Sequence, residues 1–248
     1  MPLRRITRLL GTMLIVAGVL SLTWAFLIWR WQDPFTALYT AYQQRELRGE
    51  YQHQLEDFHA PAPPPVASTK RDLASYELSI AQAAKSYRRS LHEGDAIGRI
   101  IVPRLGLKMV FVNGTNTATL EKGPGRQLST FMPGEGKLIY IAGHRTTYLA
   151  PFSAIDKLRA GDSVTLEVPY GTFQYKITGH TIVPANDLAV LKSHGHEVVA
   201  LQACHPRFFA SERYIAWAKP VRVVPRSGAA YHYSGTELSA AGRAKLPQ

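Results

Sequence analysis

The chain has one cysteine, Cys204, in 248 residues. No disulfide can form within it, so the fold must be held by its apolar core. Acidic side chains are scarce beside basic ones, 18 against 29, which leaves a formal net charge of +11. A body of that charge suits anionic lipid or envelope polymers, or simply a solvated face. Nucleic acid is not expected as a partner, because no basic cluster is interleaved with aromatics on a recognisable module. A full phosphate loop is also missing: MPGEGK, residues 132–137, lacks the GxxxxGK[ST] pattern. His194-Gly195-His196 places two imidazoles one residue apart with no clear third ligand, so neither a metal nor another cofactor is expected.

Only one apolar run is long enough to cross a bilayer. It is LLGTMLIVAGVLSLTWAFLIW, residues 9–29. A cleavable signal would end in small residues, whereas this run ends in TWAFLIWRW, so an uncleaved transmembrane helix is expected, with Trp24, Trp29 and Trp31 as interfacial anchors. Arg4, Arg5 and Arg8 precede the run and Arg30 alone follows closely. That bias predicts a single-pass membrane protein with residues 1–8 in the cytoplasm and the remainder outside. A free thiol on an exported domain then needs a reason to be there.

Residues 30–93 read as an extracytoplasmic helical and proline-rich stalk. Asp33-Pro34 resembles an N-cap with proline at the first helical position, and Phe35, Leu38, Tyr39 and Tyr42 recur at helical spacing. HAPAPPPVAS then favours an extended spacer. A second amphipathic helix is predicted from Thr69, where Thr69-x-x-Asp72 resembles a capping box. Leu73, Tyr76, Ile80, Ala84, Tyr87 and Leu91 form its stripe, which packing on the following domain would cover.

Residues 94–225 form the compact part, large enough for one core. Apolar runs of strand length, among them AIGRIIVP, LKMVFV, KLIYIAG and DSVTLEVP, are separated by turn signals. Phe152, Ile155 and Leu158 recur every third residue and predict a short helix ending at Gly161. Seven or eight short strands with one or two short helices make the chain mainly β and predict a closed or nearly closed barrel. Residues 226–248 are small and polar with no apolar period, and read as a flexible tail.

Chemistry concentrates in EVVALQACHPRFFASERYIAW, residues 197–217. A half-buried strand ends at Cys204, Pro206 breaks it, and the next strand opens on Arg213, so thiol and guanidinium can face one small space across the connection. Upstream, KLIYIAGHRTTYLAPF repeats the design with His144 where the strand runs out. A nucleophilic thiol needs a base or cation to hold it as thiolate, and a histidine at a strand end supplies one. Arg213 stays charged and offers several hydrogens to a developing oxyanion. Tyr148 is a candidate lining residue of a substrate pocket. His205 is a rival base, but neighbours on an extended strand point to opposite faces, which ranks it below His144.

AGHRTTYLAPF and ALQACHPRFFASER, with IGRIIVPRLGL, FVNGT, LEKGPGR and MPGEGK in order, resemble the signature segments of the sortases, most of all their class E branch. The resemblance covers residues 94–224. Sortases are membrane-bound cysteine transpeptidases of Gram-positive envelopes, and the likeness implies an eight-stranded barrel. It also implies cleavage between Thr and Gly of an LPxTG- or LAxTG-like motif, carried at the C-terminus of secreted proteins, through a thioester. A lipid-linked peptidoglycan precursor would supply the acceptor amine. Cys204 would be the nucleophile, His144 the general acid and base, and Arg213 the oxyanion donor. This chain departs from the common pattern at Ala200 and Ala203, where threonines are usual, at Arg126, where class E members commonly show histidine, and at Leu149, where glycine is common. A hydrolytic or pilin-polymerising relative, and a catalytically silent peptide-binding adaptor of the envelope, are the alternatives.

Overall fold

The computed structural model describes residues 2–31, 34–59 and 70–233. The cap predicted at Asp33, the proline-rich spacer, the capping box at Thr69 and the tail beyond residue 233 lie outside them. Three helices come first: α1 (Pro2–Trp31), α2 (Pro34–Asp57) and α3 (Lys70–Ser90). Within α1, Arg4–Leu27 is long and apolar enough to cross a membrane.

Eight strands follow in a closed ring: β1 (Ala96–Val102), β2 (Leu107–Asn113), β3 (Gly125–Arg126), β4 (Leu138–Ala142), β5 (Ser163–Val168), β6 (Gly171–Pro184), β7 (Val198–His205) and β8 (Glu212–Pro225). The spatial order is β6-β5-β1-β2-β3-β4-β7-β8, and β8 pairs back onto β6. Closure pairs every strand of the ring on both sides over part of its length. Most pairs are antiparallel; β2 with β3 and β4 with β7 run parallel. The ring has a mostly apolar interior because its strands alternate: in β5, Val164, Leu166 and Val168 are buried while the residues between them are half-exposed. Phe111, Ile139, Leu201 and Phe173 belong to one continuous core.

Helices α2 and α3 pack on the barrel. Ile80, Ala83, Ala84 and Tyr87 of α3 join the main core. From α2, Leu47 and Tyr51 cover Ala96, Val110 and Val112, which point outward from the barrel wall. Gln44, fully buried, behaves as a short piece of strand. Its Oε1 accepts from the Val110 amide at 2.8 Å, and its Nε2 donates to the Val110 and Lys122 carbonyls at 2.9 Å each.

Three local expectations are corrected. Phe152, Ile155 and Leu158 are buried, but the segment makes only one 3₁₀ turn at Ile155–Lys157, which a strict spacing of three suits better than an α-helix does. A short helix α4 (Thr117–Lys122), capped by the Asn116 side chain, lies between β2 and β3 where none was read. Residues 231–233, read as part of a flexible tail, are docked on the barrel. Strand β9 (Tyr231–His232) pairs with β8, and the buried Tyr233 hydroxyl donates to Glu197 at 3.2 Å. Two tyrosines at strand spacing supply the buried area that the small residues around them lack.

Candidate active site

Strand alternation decides which side chains meet. Along β7, Val199, Leu201 and Ala203 enter the core, so Gln202 and Cys204 face the other way, into a cavity of about 270 Å³ on the barrel wall. Cys204 is half-buried and pairs in register with Arg213 at the start of β8. Strand β4 runs parallel to β7 with Ala142 opposite Gln202, and the Gly143 amide donates to the Gln202 carbonyl at 3.0 Å. Two residues on, His144 comes level with Cys204. Gly143 has to be glycine, because a Cβ there would meet the Phe152 ring at 2.7 Å. His144, Cys204 and Arg213 therefore line one cavity, with Thr115, Gln127, Tyr140 and the β6–β7 connection forming the rest of its wall.

Electrostatics separate the roles. Burial holds the pKa of His144 below its ordinary value, and Glu121 of α4 pulls weakly the other way. Burial thus favours the neutral imidazole, the form that is able to take a proton. Its Nε2 is buried without a hydrogen-bond partner among the described residues. Arg213 is fixed from one side: Nη1 donates to the Ala210 and Glu212 carbonyls at 2.7 and 2.9 Å. Its other nitrogens have no protein acceptor among the described residues, so the guanidinium can still meet an anion.

Tyr148 is placed differently from the expectation. It does not line the cavity; its ring packs on that of His144 at 4.9 Å, and its hydroxyl donates to Glu121 at 2.9 Å. The loop after His144 is held in left-handed conformation over three residues, Tyr148, Leu149 and Ala150, with φ of 53°, 59° and 39°. A side chain costs about 1–2 kcal/mol in such a conformation, so Leu149 is strained where glycine would not be. His205 turns away from Cys204, with Nδ1 2.9 Å from Arg145. No group of three metal-ligating side chains includes His194 or His196 among the described residues.

Two residues beside the site were not singled out by sequence. Arg145 is buried between the two strand ends: Nη1 donates to the Cys204 carbonyl at 3.2 Å and lies 2.9 Å from His205 Nδ1, while Nη2 pairs with Asp156 at 3.0 Å. Its place next to His144 was the only signal. Glu121 had none, since an acid on a short helix far upstream looks like surface. Arg126 proves structural: fully buried, it donates to the Thr130 carbonyl and, at 2.5 Å, to Asn113, and burial lowers its pKa to about 10.

Comparison with known proteins converges on one description. A family model described as the sortase domain matches residues 100–221. Sortase D of Bacillus subtilis (strain 168) is 33% identical over 160 residues, covering 63% of this chain and 79% of its own length. Among solved structures, a Clostridium perfringens sortase D5 transpeptidase shares the fold with a TM-score of 0.56 at 24% identity, covering 72% of this chain and 98% of its own. Sortase E1 of Streptomyces coelicolor, solved with a tripeptide in the active site, gives a TM-score of 0.50 at 25% identity, covering 54% and 92%.

Proposed function

Because the chain belongs to the sortase family of cysteine transpeptidases, we propose that Cys204 is its nucleophile, His144 its general acid and base, and Arg213 its oxyanion donor. The substrate is an LPxTG- or LAxTG-like motif, cut between Thr and Gly. The observation that carries this reading is the in-register pairing of Cys204 with Arg213 on the outer face of β7 and β8, with His144 delivered to the same cavity by the parallel strand β4. The tripeptide in the active site of the Streptomyces coelicolor enzyme supports a peptide as the ligand.

The steps follow from the groups. His144 takes the Cys204 proton, and the sulfur attacks the threonine carbonyl carbon. The oxygen that gains charge meets the unbonded nitrogens of Arg213; losing such a donor costs about 10²–10³ in turnover. The imidazolium then protonates the glycine nitrogen as the C–N bond breaks, which leaves a thioester. An incoming amine attacks that carbonyl, gives its proton to His144 and displaces the sulfur as thiolate. Burial of His144 favours the neutral base at the start of each half-reaction. The acceptor is the amino group of a lipid-linked peptidoglycan precursor, within reach of a domain tethered by α1 in a membrane with the N-terminus in the cytoplasm.

Incubation with LPxTG and LAxTG peptides and a panel of amines, with products identified by mass, tests the reading. Amide exchange after threonine supports it. Water as the only acceptor points to the hydrolytic relative, and no cleavage at all to the adaptor.

A further inference from the structure

The first half of α2 is patterned inside out. The side chains it turns to the barrel are polar: Thr36 Oγ1 accepts from the Tyr148 amide at 3.1 Å, Thr40 Oγ1 donates to the Glu121 carbonyl at 2.7 Å, and Gln44 bonds both polar groups of Val110. The side chains it turns outward are apolar or aromatic: Phe35, Leu38, Tyr39 and Tyr42 are 71%, 73%, 44% and 58% exposed. Their spacing of three, four and seven puts them on one stripe. One turn later the usual order returns, with Leu47 and Tyr51 buried and Arg45 and Arg48 exposed. A helix that packs on a domain in water buries its apolar stripe. Here the first two turns do the reverse, so their outer neighbour is not water.

The chain itself says what that neighbour is. The apolar helix α1 ends at Trp31, three residues before α2 begins at Pro34, and the Phe35 ring lies 5.8 Å from that of Trp24. Tyrosine and tryptophan rings settle where hydrocarbon meets headgroups. Arg45 flanks the stripe on the exposed surface, where it can reach anionic headgroups, while Glu46, which accepts from the Tyr42 hydroxyl at 2.7 Å, continues it. We propose that the first two turns of α2 are a bilayer-docking surface. Phe35, Leu38, Tyr39 and Tyr42 lie in the headgroup–acyl boundary, and Arg45 beside them contacts anionic lipid. The same turns are bonded through Thr36 to the loop of Tyr148 and through Thr40 to α4, and both of these abut His144. Docking therefore fixes the cavity at a set height above the lipid. This goes beyond the chemistry proposed above, since an inactive chain would dock equally.

The test uses the full chain with Cys204→Ala, which removes the native thiol, and one new cysteine carrying an environment-sensitive fluorophore. Labels replace Leu38 or Tyr42 on the stripe, or Gln52 on the exposed far end of α2. The protein is reconstituted into vesicles of equal parts phosphatidylcholine and phosphatidylglycerol, with and without nitroxide-bearing lipid. The expected result is blue-shifted emission at both stripe positions, with lipid quenching at least about two-fold stronger than at Gln52. Equal quenching at all three positions overturns the proposal. So does stripe emission that shifts only with rising protein-to-lipid ratio and escapes lipid quenching, because it would mean that a second copy covers the stripe.

Discussion

Removing Arg145 should disable the enzyme well before it unfolds it. The side chain is 5% exposed and joins the residue beside the candidate base to the carbonyl of the candidate nucleophile. Its pair with Asp156, which is 48% exposed, contributes little because water screens it. The bonds to the Cys204 carbonyl and to His205 are made by a charged donor in a buried place, so Arg145→Ala should cost about 2–4 kcal/mol of stability. The catalytic cost is larger. With the tie gone, the left-handed loop after His144 is free to relax, and a misplacement of about 1 Å between reacting groups costs roughly 10²-fold. Lysine keeps the charge but cannot hold three partners in one plane, so Arg145→Lys should fall between, down about 10-fold. The assay is steady-state transpeptidation of a motif peptide at a temperature where each variant is fully folded, alongside a thermal melt. A positioning role lowers kcat with KM and the pH profile little changed. Wild-type kcat in folded Arg145→Ala would refute the reasoning.

Two pH predictions follow from carboxylates, one beside His144 and one in the core. Glu121 raises the pKa of His144 against the larger effect of burial, so Glu121→Gln should move the acid limb of the kcat/KM profile to lower pH; an upward move would reverse the assigned sign. Glu197 is fully buried, accepts from the amides of Gly134 and Gly136 and the hydroxyls of Tyr175 and Tyr233, and is pushed up to about 7 by burial. Between its ordinary value of 4.5 and about 7 the folded chain holds a proton that the unfolded chain has lost, so stability falls as pH rises through that window and levels off above it. The drop is on the order of 3 kcal/mol. Urea denaturation across the window should show that slope in the native chain and lose it in Glu197→Gln.

The parts of the site that sequence made legible are those governed by strand period. Alternation along β7 puts Cys204 and His205 on opposite faces, and a nine-residue step over a broken strand brings Arg213 back to its register partner. The barrel was legible for the same reason, through runs of strand length between turn signals. Glu121 and Arg145 were not, because a charged residue looks the same in sequence whether it is solvated or bonded to a distant group: the Glu121 carboxylate accepts from the Tyr148 hydroxyl, and Arg145 donates to the Cys204 carbonyl. The polar docking face of α2 escaped too: its hydrogen bonds leave no apolar period to count. Further along, Tyr231 and Tyr233 were hidden by the small residues around them, although one half-buried and one buried ring suffice to seat the segment on β8 and Glu197.

The central claim is that the sulfur of Cys204 carries the substrate. Intact-mass spectrometry of the full chain, quenched in acid soon after mixing with an LPxTG or LAxTG peptide and no amine, measures that directly. The account predicts an adduct equal to the peptide through threonine less one water, located on Cys204, released by hydroxylamine and absent from Cys204→Ala. Peptide cleavage that persists in Cys204→Ala, or an adduct on any other residue, would contradict it.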